Sequence, residues 1–459
     1  MQEENIPVLS ILAHLQNKIQ PIKFASYFDD TAEINKLQKK HYLIPVVDNL
    51  LNVTNQENYS LCRKNEVVYL FNGEYWQQLD TPIFKDFLGE VALQSGTDKY
   101  DARFFQFKDD LLKQFMSDAS LKEIHLPEKV LINLKNGTFE ISEQNQELRG
   151  FNKSDFMTYQ LPFSYDSSAR CPKFTNFLNQ VLPDKELQLV LAEYLGYIFI
   201  RNKVLKLEKV LILYGSGANG KSVLFEIINA LVGKQNISVY SLQSLTDSKG
   251  YNRAMISHKL LNYATEINGK LDTAVFKQLC SGEPVEARLP YGMPLTIEDY
   301  ARLIFNCNEL PKEIEHTDAY FRRFLIIPFK ITIPPEKQDK ELATKIIEDE
   351  LSGIFNWIIE GLQRLLANRN FTHSSIIENQ VKKYRVENDS ILMFLEEENY
   401  EKSILENIKL AALYLDYKIF CQTNGFIASA ERAFSKKLDS LGYERKRTSL
   451  GYSIYIKKK

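Results

Sequence analysis

The chain is poor in residues that would staple or anchor it. Five cysteines among 459 residues (Cys62, Cys171, Cys280, Cys307, Cys421) form no C-x-x-C pair and meet no histidine cluster, which excludes a disulfide framework or zinc site and implies reduced, buried thiols. No stretch approaches the ~18 apolar residues of a membrane span. Residues 1–9 (MQEENIPVL) lack the basic start and apolar run of a secretory leader, so a cytoplasmic protein with no membrane partner is expected. Neither charge dominates: 57 Lys and Arg face 59 Asp and Glu, a net −2, so a uniformly basic polyanion binder is excluded. Low complexity is absent too, since 44% apolar and 25% charged residues are ordinary globular usage.

What is present is uneven. At roughly 100–200 residues per domain the length allows two to four domains. Residues 430–459 hold nine Lys and Arg against three Asp and Glu, a local +6 that leaves −8 on the remainder. Any polyanion contact is therefore local.

Residues 1–45 mix a helical pattern over Ser10–Lys18 with a polar, basic stretch at 36–41, and stand as an unassigned N-terminal segment. Between 46 and 160 the pattern is α+β. Asn72-Gly73 and Asn136-Gly137 each sit between β-branched and aromatic runs, as tight hairpin turns require, and Phe84–Val91 and Phe104–Met116 have helical spacing. The aperiodic Pro/Ser/Asp-rich segment 159–172 reads as a linker. Helical spacing returns over Phe174–Leu182 and Glu186–Ile200, ahead of a core expected to span 172–335.

Within that core, Gly215-Ser216-Gly217-Ala218-Asn219-Gly220-Lys221-Ser222 matches G-x-x-x-x-G-K-S/T, between the apolar strand Val210–Tyr214 and a helical pattern over Ser222–Val232. Glycines free the backbone N–H groups to face phosphates, and the helix start adds positive potential. Lys221 then suits the β/γ-phosphates of ATP, and the Ser222 hydroxyl suits Mg²⁺. Downstream, a buried strand ends in Glu266, placed to polarise water and help hold the metal. A second strand ends in Asn308, whose amide suits the γ-phosphate or the attacking water. Arg322 and Arg323 precede a third, where either guanidinium suits a neighbouring subunit's nucleotide.

These segments together resemble the superfamily 3 helicases of viruses, phages and plasmids, and within them the poxvirus-type and phage/plasmid primase-helicases. Y-D-S-S-A-R-C-P at 165–172, E-Y-L-G-Y at 193–197, the loop at 215–222, T-E-I at 265–267, S-G-E-P-V-E-A-R at 281–288, F-N-C-N-E-L-P at 305–311 and F-R-R-F-L-I-I-P-F at 321–329 follow the family's order. With W-Q-Q-L-D and N-L-K-N-G-T-F, similar to its helicase-associated domain, the likeness covers about residues 45–455. It implies an AAA+-like P-loop ATPase core with Lys221 and Ser222 as the Walker A pair, Glu266 as the Walker B acid, Asn308 as the sensor, and Arg322 or Arg323 as the arginine finger. It also implies a DNA-gripping hairpin between Glu266 and Asn308, an interval that contains Lys277, Arg288 and Tyr291. Tyr291 suits stacking on a base or sugar, or packing within its own turn. The sequence departs from the family where Leu289-Pro290-Tyr291-Gly292-Met293-Pro294 lacks a tip lysine and where Thr265 stands in place of a second acid.

A helical segment is expected over 336–385 and a basic module over 386–459, where two helices and a hairpin turning near 449–451 outline a winged helix. Arg445, Lys446 and Arg447 lie on the wing and suit DNA phosphates. The expectation is an ATP- and Mg²⁺-dependent DNA helicase forming a homo-oligomeric ring of hexamer size, moving 3′ to 5′ on single-stranded or forked DNA in replication of a phage, plasmid or mobile element. The alternative is an ATP-switched DNA-binding or assembly ATPase that does not unwind. The 45 residues ahead of the associated domain cannot house a primase, so primer synthesis is not expected, and a separate primase stays open as a partner.

Overall fold

The computed structural model describes residues 6–27, 37–64, 66–121, 129–143, 145–265, 267, 271–289, 292–311, 317–448 and 451–459. Among these, the N-terminal part pairs a helical layer with two antiparallel three-stranded sheets. Helices Ile6–Lys18, Lys40–Gln56, Thr81–Gln94 and Phe105–Asp118 bury Leu12, Leu15, Val47, Leu50, Phe84, Leu88 and Phe115 in one core. The division expected at 45/46 falls inside the helix Lys40–Gln56, because residues on both sides of it feed that core.

The first sheet joins Ser60–Lys64, Val67–Phe71 and Trp76–Gln78. Its Asn72-Gly73 turn is held by the Asn72 amide oxygen, which accepts from the N–H groups of Glu74 (2.9 Å) and Tyr75 (2.8 Å). The second joins Val130–Leu134, Gly137–Ile141 and Gln146–Arg149. There the turn residues are Lys135 and Asn136, and Gly137 already pairs with Leu134. A Cβ on Gly137 would lie 2.4 Å from the Arg149 carbonyl, so glycine is needed for strand approach. The expected linker at 159–172 carries little regular structure yet is docked at both ends. Leu161 N–H donates to the Asn133 carbonyl (2.8 Å), and the Asn356 amide donates to the Asp166 carbonyl (2.9 Å).

The central sheet has five parallel strands: β1 Val210–Tyr214, β2 Ile237–Ser238, β3 Leu261–Ala264, β4 Arg302–Cys307 and β5 Phe324–Pro328, in the order β5-β1-β4-β3-β2. Both faces are covered, which is why β1 and β5 read as unbroken apolar runs rather than alternating ones. Helices Pro172–Val181, Lys185–Tyr197, Lys221–Val232 and Leu342–Asn368 pack on one face around Tyr194, Leu224 and Phe355. Glycine sets the closest helix approach: a Cβ on Gly361 would lie 2.6 Å from the Ala192 carbonyl carbon, and one on Gly196 2.7 Å from Leu362 Cβ. Phe276, Tyr320, Phe324 and Tyr384 fill the other face. The chain leaves β1 for the far edge, returns through β3 to β4, then crosses to β5 on β1's other side. Where the order reverses, beyond the carboxyl ends of β1 and β4, a crevice for a ligand results.

Helix Thr273–Ser281 and a hairpin of Val285–Arg288 with Pro294–Ile297 are inserted between β3 and β4. In the C-terminal module, Ser390–Glu397 is a helix that buries Phe394. Helices Leu410–Thr423 and Glu431–Ser440 follow, then strands Arg445–Thr448 and Gly451–Ile454, with Ile408–Lys409 added to the outer side of the latter. Among the described residues no helix is long and apolar enough to cross a membrane.

Candidate active site

β1 ends at Tyr214 and the next helix starts at Lys221, so residues 215–220 must reverse the chain. Gly217 (φ +107°), Ala218 (+50°) and Gly220 (+83°) take left-handed conformations to do so. Gly215 lies where a Cβ would meet Asn219 Nδ2 at 2.2 Å and the Phe329 carbonyl at 2.5 Å. The loop is pinned by the strands flanking β1. Gly215 N–H donates to the Cys307 carbonyl (3.1 Å), Asn219 Nδ2 to the Phe329 carbonyl (3.2 Å), and Ile333 N–H to the Ala218 carbonyl (2.8 Å).

Lys221 turns back beneath this loop. Its ammonium donates to the Gly215 carbonyl (2.7 Å), Asn219 Oδ1 (3.0 Å) and, at 3.4 Å, Asn308 Oδ1. The side chain is 6% exposed and has no carboxylate partner among the described residues. Burial pulls its pKa below the ordinary lysine value, since neutral oxygens offset desolvation less than a carboxylate does. Cys307 beside it has its thiol pushed up to about 12 by burial, so it stays protonated. Ser222 is exposed at the helix start, where unpaired N–H groups and the helix dipole favour an anion. The set is a buried cation, neutral acceptors and open backbone donors, which is the chemistry that receives a phosphate chain.

Asn308 follows β4 and is exposed beside Lys221, so the structure brings these two predicted residues together. Glu266 and Tyr291 lie outside the described residues; β3 ends at Ala264 with Thr265 following.

Arg322 and Arg323 stand at the opposite end of the sheet. The Arg323 carbonyl accepts from Val210 N–H at the start of β1, about 16 Å along the strand from Gly215. The two also differ from each other. Arg323 is buried, donating to Ser281 Oγ (3.1 Å) and the Ala319 carbonyl and lying 3.4 Å from Glu208. Arg322 is exposed and meets the same Glu208 oxygen, at 3.1 Å. No motif marks Glu208; it is an isolated acid between a basic run and β1, and it gains meaning only when the fold delivers both arginines to it.

The inserted hairpin carries Arg288, whose Nε donates across the turn to the Gly292 carbonyl (3.0 Å), leaving Leu289 and Met293 as exposed apolar groups near the tip. Lys277 is not on the hairpin: it lies half-buried on helix Thr273–Ser281. On the C-terminal hairpin the three basic residues also separate. Arg445 is tied to Ser435 (2.7 Å), Asp439 (3.2 Å) and the Tyr452 ring. Lys446 pairs with Glu444 and the Tyr455 ring. Arg447 is exposed, with no ion pair among the described residues. Lys457 and Lys459 face Glu401, and Lys458 faces Glu398, which mutes the local positive charge.

Fold and site together define a mixed α/β chain whose parallel sheet carries a glycine-rich loop at its carboxyl edge. Residues 55–183 match the family described as D5 N terminal like, residues 386–459 the family described as Poxvirus D5 protein-like, and residues 213–323 a family of unknown function (DUF5906). "Putative helicase 121R" of Invertebrate iridescent virus 3 is 24% identical over 340 residues, 63% of this chain and 34% of that protein. A second relative named a putative helicase, from Acanthamoeba polyphaga mimivirus, is 24% identical over 216 residues, 43% of this chain and 22% of that protein. The chain thus spans 34% and 22% of the length of these relatives. The A form apo structure of the NrS-1 C terminal region is similar with a TM-score of 0.49 and 14% identity, covering 89% of this chain and 98% of that one. The chain carries domains of the poxvirus D5-like primase-helicase type and is consistent with a superfamily 3 helicase-type family, as the motifs led us to expect.

Proposed function

We propose that the chain is an ATP-dependent DNA helicase that binds Mg²⁺-ATP on Gly215–Ser222 and works as a ring, of hexamer size, on single-stranded or forked DNA with 3′-to-5′ movement during replication of a mobile element. The observation that carries this reading is the Lys221 ammonium, buried against three neutral oxygens and no described carboxylate, since an anionic phosphate chain supplies the missing countercharge. Bound Mg²⁺ would neutralise developing charge on the phosphates. Lys221 and the loop amides hold the phosphate chain, the Asn308 amide orients what approaches its end, and Ser222 presents its hydroxyl. Arg322 supports a shared site, because it lies a strand's length from its own loop and serves hydrolysis only across a contact with a second copy. The C-terminal module reads as a winged helix whose Arg447 is free to meet a DNA phosphate, and the inserted hairpin as the element lining the channel.

The test is to mix Lys221→Ala and Arg322→Ala subunits, each inactive alone. A shared site restores single-strand-stimulated ATP hydrolysis and strand displacement in the mixture, because some interfaces then combine an intact loop with an intact arginine. No recovery in mixed assemblies overturns the shared site. Hydrolysis without displacement leaves an ATP switch instead of a motor.

A further inference from the structure

A second cavity, of about 150 Å³, lies at the amino edge of the sheet, on the far side of it from the glycine-rich loop. Its walls come from two parts of the chain: Lys64 and the 156–159 segment on one side, and residues 198–202, 258–260 and 298–302 on the other. Four cations line it, Lys64, Arg201, Lys259 and Arg302, against two carboxylates, Glu298 and Asp299.

Two of the cations are already engaged. Arg302 donates to the Ile200 carbonyl (2.9 Å) and Asn202 Oδ1 (2.7 Å) and stacks on Tyr197, while Lys259 donates to the Gln235 carbonyl. Lys64 and Arg201 have neither a side-chain hydrogen bond nor an ion pair among the described residues. Lys64 is half-buried with its ammonium 4.3 Å from the Phe156 ring centroid. Burial lowers its pKa; Asp299 pulls the other way, and Arg201 lowers it by less than Asp299 raises it. Two cations from different parts of the chain thus line one small cavity without a hydrogen-bonding or ion-pair partner among the described residues.

The backbone around the cavity is strained as well. Phe156 (φ +47°) and His258 (φ +59°) both line it in the left-handed region, which is unfavourable for residues with a Cβ. Such strain persists where surrounding structure holds it, and it clusters at functional sites.

We propose that this cleft binds a phosphate group between Lys64 and Arg201, as a site separate from the loop at 215–222. One anion would pair with both cations and join the two walls. The cavity has room for a single phosphate or a group of similar size, from either a free phosphate compound or a nucleic-acid backbone. The proposal does not depend on helicase activity.

The test is calorimetric titration of the full chain carrying Lys221→Ala, to silence the loop, with inorganic pyrophosphate in one arm and an oligothymidylate in the other. Lys64→Gln and Arg201→Gln should each weaken binding on the order of tenfold, the scale of one lost charge-assisted hydrogen bond. Loss in the pyrophosphate arm alone assigns a free phosphate compound; loss in the oligonucleotide arm assigns a backbone phosphate. Asp299→Asn should tighten binding about two- to fivefold by removing a repelling carboxylate, a gain that misfolding cannot mimic. In phosphate-free buffer Lys64→Gln should raise the melting temperature, because it removes a cation that burial disfavours. Unchanged affinity for both probes in the two glutamine variants overturns the site, and so does a lowered melting temperature with no loss of binding.

Discussion

The Lys221 ammonium lies 3.4 Å from Asn308 Oδ1, although 87 residues separate them in the chain. The contact exists because β1 and β4 are neighbours in the sheet, with Cys307 paired to Tyr214, so their carboxyl ends open onto one crevice.

Lys221→Ala should therefore abolish ATP turnover by on the order of 10²–10³-fold, the cost of removing one donor from a preorganised anion site, while the protein stays folded. The pH response gives a second readout. Burial sets the folded pKa below the ordinary 10.5, so between the two values the unfolded chain binds more protons and stability rises with pH. Lys221→Met should melt higher than the wild type at neutral pH, and the gap should close as pH climbs toward 10.5. Paired melting curves check the sign; a gap that widens instead removes the desolvation account.

The two adjacent arginines should part company under mutation. Arg323→Ala should cost about 1.5–3 kcal/mol of stability, because it leaves Ser281 and the Ala319 carbonyl without their buried charged donor. Arg322→Ala touches an exposed guanidinium paired with Glu208, so its stability cost should stay within about 1 kcal/mol. Hydrolysis in the assembled protein should nonetheless fall about 10³-fold or more if Arg322 is the trans-acting cation. Denaturant melts and ATPase rates on the two variants separate the effects.

This split also marks the limit of the sequence reading. The strand before the loop, the hairpin at Asn72-Gly73 and the helices of the basic module were legible because turn chemistry and periodicity are local. The difference between Arg322 and Arg323 was not, since it depends on Ser281 and Glu208, which arrive from helix Thr273–Ser281 and from the residues before β1. For the same reason Lys277 and Arg288 looked equivalent within one interval but occupy a helix and a hairpin. The helix Lys40–Gln56 carries Pro45 in its interior, against the local preference.

Glu350 shows the same long-range dependence. It is 4% exposed, and its two carboxylate oxygens accept from Lys173 N–H and Phe174 N–H at 2.9 Å each. A side chain on helix Leu342–Asn368 thus caps the helix that starts at Pro172, where Cys171 offers no capping bond. Glu350→Ala should cost about 1–2 kcal/mol, as loss of an N-cap does. Glu350→Gln, which keeps one acceptor oxygen, should recover about half of that cost. Equal melting temperatures for the alanine variant and the wild type would show that the cap adds nothing.

On the C-terminal hairpin, Arg445 and Arg447 point the same prediction in opposite directions. Arg445 joins Ser435 and Asp439 on the preceding helix, so Arg445→Ala should lower the melting temperature of the module and weaken DNA binding only through that loss. Arg447 has no such anchor, so Arg447→Ala should leave the melting temperature unchanged. If it meets a DNA phosphate, each lost contact releases about 0.7 fewer counterions on a single strand and about 0.9 fewer on a duplex. The slope of log affinity against log salt should then become shallower by about that amount, uniformly across DNA sequences. Binding isotherms at several salt concentrations measure this slope, and an unchanged slope in Arg447→Ala removes the wing from the DNA interface.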